Sequence, residues 1–234
     1  MKEIDKIRKS ERISHEMMYT KYDLFAKGSW LEKPVQTVIN ILSMIECKES
    51  INILDLGCGV GRNAIPIALY YKEYNCMIDA VDILDIAIKK LRDYSIYYGV
   101  DNTINGITSS IEDYYISNHK YDLILAISVL EYLENMDFLL KKLYEIRDGL
   151  KQNGIACFIC NSNIEEKSIL TNQQLSPQFE CLFSDEEFYE MMAKVFEDFE
   201  LLKRTLKKQV YTIPRENEVV KMETDVVTYV IKKR

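Results

Sequence analysis

The chain has 234 residues, of which 47% are apolar and 29% charged, and its formal net charge is −7. That length suits one α/β domain with a substantial core. The acidic balance argues against a general nucleic-acid-binding surface, because neutralising phosphates needs clustered lysine and arginine.

The first residues, M-K-E-I-D-K-I-R-K-S, carry no apolar signal core, and the longest apolar run, Leu123 to Leu130, is too short to span a bilayer. A cytoplasmic location without membrane contact is the expectation. Six cysteines (Cys47, Cys58, Cys76, Cys157, Cys160 and Cys181) then read as reduced thiols. Cys157 and Cys160 lie in the strand-like run I-A-C-F-I-C, where residues three apart face opposite ways, so a shared metal is not expected.

In chain order, Ile4, Ile7, Ile13, Met17 and Met18 mark a loose helical face. Tyr19 to Trp30 is rich in aromatic residues and interrupted by Gly28; it reads equally as a packed connector or as a lid over a ligand. Pro34 can open a helix carrying Val35, Val38, Ile39, Leu42 and Ile45, and Lys48 to Ser50 breaks that pattern. A strand from Ile51, a glycine-rich turn and a helix from Arg62 follow. Cys76 to Asp82 is a second strand, and Ile83 to Tyr98 a helix stopped by Gly99.

Thr103 to Thr108 reads as a third strand, with Asn105-Gly106 inside it as a competing hairpin signal. Tyr121 to Ser128 is a buried strand, a helix starts at Asn135, and Ile155 to Asn161 is a further strand. Strands alternating with helices predict a parallel sheet covered on both faces. The stretch 162–183 is expected as a loop or lid, Ser184 with Glu187 as a capping box, and 199–205 with 226–232 as an antiparallel pair at the sheet edge. The division is thus a helix and lid-like segment over 1–33 and one α/β domain over 34–234.

The centre of this pattern is I-N-I-L-D-L-G-C-G-V-G-R-N, residues 51–63. A strand, a tight glycine turn and a helix start present backbone N–H groups to a polar ligand. A phosphate-binding G-x-x-x-x-G-K-[ST] loop is excluded, since V-G-R-N follows Gly57. A dinucleotide G-x-G-x-x-G is disfavoured, because Arg62 stands where the third glycine belongs. What remains is Gly57-Cys58-Gly59-Val60-Gly61, preceded by Asp55. The second strand ends in Asp82, whose carboxylate can accept from both hydroxyls of a ribose; Asp79, the rival, lies inside the strand.

D-L-G-C-G-V-G-R-N, V-D-I, Y-D-L-I-L-A-I-S-V-L-E-Y-L and L-K-Q-N-G together resemble the class I S-adenosylmethionine-dependent methyltransferases over about residues 50–160. Y-T-K-Y-D-L and F-S-D-E-E-F look similar to the tellurite-resistance (TehB-like) group of small-molecule methyltransferases. That group's basic, His-containing stretch is replaced by V-Y-T-I-P-R-E-N.

The resemblance implies a three-layer Rossmann-like sandwich around a mostly parallel seven-stranded sheet with an antiparallel last strand. It implies S-adenosyl-L-methionine as cofactor, bound around Asp55, Gly57, Cys58, Gly59, Gly61, Asp82, Ile83, Ser110, Ile111 and Ala126. Glu131 and Tyr132 are candidates for a base, or are surface helix residues. Tyr19, Tyr22 and Trp30 could close over the pocket, and Lys27 and Arg215 are cations for an anionic substrate or are simply solvated. A small-molecule acceptor follows by analogy and elimination, because the nucleobase, arginine and cysteine-nucleophile motifs are missing. The alternative is a catalytically silent cofactor-binding protein; a nicotinamide oxidoreductase is disfavoured by Arg62.

Overall fold

The computed structural model describes residues 3–46, 49–215 and 218–234. Cys47, Lys48, Glu216, Asn217 and the side chain of Ile4 lie outside the described residues.

Strands β1 (Ile51–Leu56), β2 (Cys76–Asp82), β3 (Ile104–Thr108), β4 (Tyr121–Ile127) and β5 (Leu150–Ser168) run parallel. Helices α3 (Ala64–Tyr70), α4 (Asp85–Tyr97) and α5 (Met136–Gly149) connect them, and α1 (Glu3–Lys21) and α2 (Gln36–Leu42) precede them. After β5 come β6 (Gln174–Leu175), α6 (Asp185–Val195), β7 (Phe199–Pro214) and β8 (Val219–Lys233). The sheet order is β3-β2-β1-β4-β5-β8-β7, with β6 beside β5 off this path. The order reverses between β1 and β4, which opens a crevice at the carboxyl ends of the strands.

Alternation along each strand feeds two cores. Ile53, Leu123 and Cys157 face α2, α3 and α4, whereas Leu54, Ile124 and Cys160 face α5 and α6. Cys157 and Cys160 therefore lie on opposite faces of the sheet, as the strand reading required. Among the described residues no three His, Cys, Asp or Glu side chains cluster as metal ligands, and no helix is long and apolar enough to cross a membrane.

Local signals set most boundaries. Asn135 caps α5 by accepting from the Asp137 and Phe138 amides, and Ser184 and Glu187 form a full capping box on α6. Gly99, with φ +65°, ends α4.

Several expectations are corrected. Pro34 precedes α2, which begins at Gln36, so it does not open the helix. Asn105-Gly106 lies inside β3 and makes no hairpin: Gly106 admits Ile88 of α4, and Asn105 donates to Asp79. Within 162–183 the first seven residues are strand, since β5 runs on to Ser168 beside β8; the rest is irregular apart from β6, with Phe179, Cys181 and Phe183 buried. The closing hairpin is antiparallel as expected but much longer, with β8 inside and β7 at the edge. Ile13 and Met17 of α1 are exposed, and the helix buries Glu11 and Tyr19 instead.

Candidate functional site

The site is built on the turn after β1. Gly57, Gly59 and Gly61 hold φ of +69°, +54° and +95°, backbone that residues with a Cβ rarely adopt. Their surroundings differ. A Cβ on Gly57 would meet Val129 Cγ2 at 2.5 Å, and one on Gly59 would meet Tyr19 Oη at 2.7 Å. At Gly61 it would strike Leu91 Cδ1 of α4 at 2.5 Å. Gly61 thus serves close helix packing, the role left open by Arg62, and does not line the cavity. Arg62 lies over the Trp30 ring (5.2 Å) and donates to its carbonyl at 2.9 Å. Cys58 is buried and points at the Gly59 carbonyl, and burial pushes its thiol well above the usual range.

Asp55, at the end of β1, is buried with Oδ2 unpartnered. Burial raises its carboxyl to about 7, opposed by Arg62 and reinforced by Asp82. Asp82 accepts from the Gly59 amide at 2.8 Å and the Leu84 amide at 2.9 Å, and both carboxylate oxygens keep a free lone pair. Asp79 faces elsewhere and is occupied by Lys120, Asn105 and Tyr121.

A cavity at the carboxyl ends of β1, β2 and β4 is lined by Gly57, Asp82, Ile83, Ser110, Ile111 and Val129. Ile83 is half exposed, which suits a side chain waiting for a flat ligand, and Ile111 is buried. Ser110 donates to Asp113 and caps its amide. Ala126 does not reach the cavity: it is buried between Leu56 and Phe158 inside the sheet, and Ser128 and Val129 hold the wall instead.

Helix α1 supplies the opposite wall through Arg8, Glu11, Arg12, His15 and Tyr19. It is fastened at both ends. Arg8 pairs with Glu180 (2.7 Å) and Glu112 (3.2 Å), and Lys90 holds the Tyr19 carbonyl. In the middle, Glu11 pairs with Arg215, accepts from Tyr132 Oη at 3.3 Å and lies 3.6 Å from His15 Nδ1. Apart from Tyr19, these α1 residues were missed in the sequence. Their signal is a polar stripe at positions 8, 11, 12, 15 and 19, one face of a helix.

The remaining candidates separate. Tyr132 lines the cavity; Glu131 is fully buried behind it and accepts from the Asn161 amide and side chain, so neither is a surface residue. Burial raises both groups, the Tyr132 phenol well above its usual range. Tyr19 is buried and its ring sits 5.9 Å from that of Trp30, while Tyr22 packs on the core and Lys27 is exposed, both outside the cavity wall. Arg215 is neither solvated nor free for a substrate, because Glu11 and Glu166 clamp its buried guanidinium.

The donor set fits an adenosyl ligand bearing an amino acid: an acid with two free lone pairs, an unpartnered buried acid, and an apolar pair beside a close backbone turn. The fold and this site define a Rossmann-like S-adenosylmethionine-binding class. Residues 54–156 match the methyltransferase-domain family. A ubiquinone biosynthesis O-methyltransferase of Rickettsia canadensis is 30% identical over 73% of this chain and 69% of its own length. A carboxy-S-adenosyl-L-methionine synthase of Shewanella sediminis is 28% identical over 50% of this chain and 47% of its own. TehB of Haemophilus influenzae superimposes with a TM-score of 0.64 at 18% identity, covering 86% of this chain and 62% of that one, a likeness of fold. The chain belongs to the class I S-adenosylmethionine-dependent methyltransferases, and its cofactor is S-adenosyl-L-methionine.

Proposed function

We propose that the acceptor is a small molecule and that α1 is what restricts it. The observation that carries this reading is the position of α1: fastened through Arg8, Glu11 and the Tyr19 carbonyl, it walls the cleft against a macromolecular acceptor.

S-Adenosylmethionine supplies a methyl group already activated on a sulfonium. The protein's contribution is placement, and orientation can account for about 7–11 kcal/mol of a barrier. In this reading Asp82 holds the ribose hydroxyls, Asp55 the ammonium, and Ile83 and Ile111 the two adenine faces. Gly57 and Gly59 give close backbone approach, with Cys58 as the buried link between them. Ser110 meets the adenine edge. Tyr132, whose burial keeps the phenol protonated and whose Oη donates to Glu11, offers the acceptor an aromatic wall and not a base. Tyr19 forms part of the wall, and Trp30 packs against its ring from outside the cavity.

Calorimetry with S-adenosylhomocysteine and transfer of labelled methyl to a panel of small acceptors test the reading. One-to-one binding with turnover supports it. Turnover only on protein or nucleic acid, or binding without any turnover, contradicts it; the latter would restore the silent cofactor-binding alternative.

A further inference from the structure

Glu11, His15 and Tyr19 stand at successive turns of α1 and line the same cavity as Gly57, Asp82 and Tyr132. Glu11 is engaged by Arg215 and by the Tyr132 hydroxyl. Tyr19 is buried over the glycine turn, and burial keeps its phenol protonated. His15 remains as a proton acceptor.

Its ring has a definite polarity. Nδ1 lies 3.0 Å from the Glu11 backbone carbonyl, which can only accept, so Nδ1 carries the proton of the neutral imidazole. Nε2 is then a bare lone pair, and no described residue hydrogen-bonds to it. The Glu11 carboxylate stands 3.6 Å from Nδ1, placed to balance the charge that the ring acquires on taking a second proton. Arg215 and Tyr132 in turn hold that carboxylate. A base with an orienting acid behind it is the arrangement that proton abstraction needs.

The ring also lies beside the cofactor end of the cavity. Burial raises the Asp82 carboxyl, and the Leu84 and Gly59 amides and His15 draw it back, so the imidazole is within electrostatic reach of that acid. Its ring centroid is 6.0 Å from those of both Tyr19 and Tyr132, between the glycine turn and the residues after β4. The charged and titratable groups facing it are Glu11, Arg12 and Tyr19 on α1, Asp82 on β2 and Tyr132 after β4. None of them offers a free, unprotonated lone pair for the acceptor: Arg12 is a cation, and Asp82 is taken up by amides and the ribose.

We infer that His15 is the general base of the transfer and that the acceptor is a phenol-type hydroxyl. A neutral amine or a thiolate attacks without help, whereas a phenol must lose its proton, for which imidazole is a suitable base near neutral pH. The flanking tyrosine rings suit a flat aromatic acceptor. His15 Nε2 takes the hydroxyl proton as the oxygen bonds to the methyl carbon. The carbon–sulfur bond breaks with its electron pair going to sulfur, and S-adenosylhomocysteine is left. The partly exposed imidazolium then returns its proton to water. The inference rests on the small-molecule methyltransferase reading and deepens it.

The test uses the full chain, whose two histidines make nitrogen NMR simple to assign. In the S-adenosylhomocysteine complex, neutral His15 is expected with Nδ1 protonated and Nε2 bare. Adding catechol or caffeate should shift Nε2 of His15 and leave the exposed His119 unchanged. Methyl transfer is then followed at saturating S-adenosylmethionine with catechol, caffeate, nitrocatechol, aniline and thiophenol. Wild type is expected to methylate at least one phenol. His15→Gln should lower kcat for it roughly 100-fold or more, with KM and S-adenosylhomocysteine affinity moving less than about threefold. For nitrocatechol, already ionised near pH 8, the loss should shrink to roughly tenfold or less. An Nε2-protonated neutral His15, a variant as fast as wild type, an equal loss on weak and strong phenolic acids, or transfer confined to aniline and thiophenol would overturn the inference. The NMR arm needs no variant and decides the matter if His15→Gln does not fold. Failure of the wild type to bind S-adenosylhomocysteine, or binding with no turnover on any probe, would instead overturn the methyltransferase reading.

Discussion

Asp82 Oδ2 accepts a hydrogen bond from the Gly59 amide at 2.8 Å. The acid at the end of β2 and the glycine turn after β1 are therefore one unit, and a change in either moves both. Asp82→Ala removes the acceptor of two buried amides, Gly59 and Leu84. A loss of about 1–3 kcal/mol in stability is expected in chemical denaturation, with S-adenosylhomocysteine binding falling further than the stability does.

Gly61→Ala separates packing from ligand contact. The new Cβ would meet Leu91 Cδ1 at 2.5 Å from a backbone with φ +95°. Destabilisation of about 1–3 kcal/mol is expected, and S-adenosylhomocysteine should still bind with little change at temperatures where the variant is folded. A selective loss of binding without loss of stability would return Gly61 to the cofactor site.

Asp55 makes a pH prediction with a definite sign. Burial raises its carboxyl from 3.8 to about 7, so the folded state favours the protonated form. Its stabilising effect is complete below the unfolded value and is lost as pH rises through about 7, a swing on the order of 4 kcal/mol. Apo stability should thus fall between pH 4 and pH 8, and Asp55→Asn should flatten that fall. Binding an ammonium requires the carboxylate, so S-adenosylhomocysteine affinity should drop roughly tenfold per pH unit below 7 in wild type only. Calorimetry across this range checks both limbs.

Arg215 reports on the anchoring of α1. Arg215→Ala would leave Glu11 and Glu166 as buried, uncompensated carboxylates, at an expected cost of about 3–5 kcal/mol. Limited proteolysis should then cut within α1 sooner than in wild type. Lys27→Ala, on an exposed side chain, should stay within about 0.5 kcal/mol of wild type.

The sequence made the sheet and one half of the site legible, for physical reasons. Asp55, the glycines and Asp82 are neighbours through β1 and β2, whose strand pattern and turn chemistry are local. The same locality exposed the Ser184 capping box. The other half depends on contacts between residues far apart in the chain. Arg8 meets Glu180, and Glu11 meets Arg215, across separations that no periodicity encodes. Apolar counting on α1 pointed to Ile13 and Met17, whereas the face turned to the cleft is the polar stripe, of which Glu11 and Tyr19 are buried. Gly61 and Ala126 show the same limit: a motif fixes where a residue lies along the chain, whereas packing of α4 and β5 fixes what it faces, Leu91 for Gly61 and the neighbouring strands for Ala126.

The measurement that bears most directly on the account is calorimetry of S-adenosylhomocysteine on wild type and Asp82→Ala near pH 8. One-to-one binding by wild type, weakened roughly thirtyfold or more by the substitution, is the expected result, about 2 kcal/mol or more of lost binding. Absence of binding by wild type, or equal affinity in the two proteins, would contradict the placement of the cofactor on the glycine turn and Asp82.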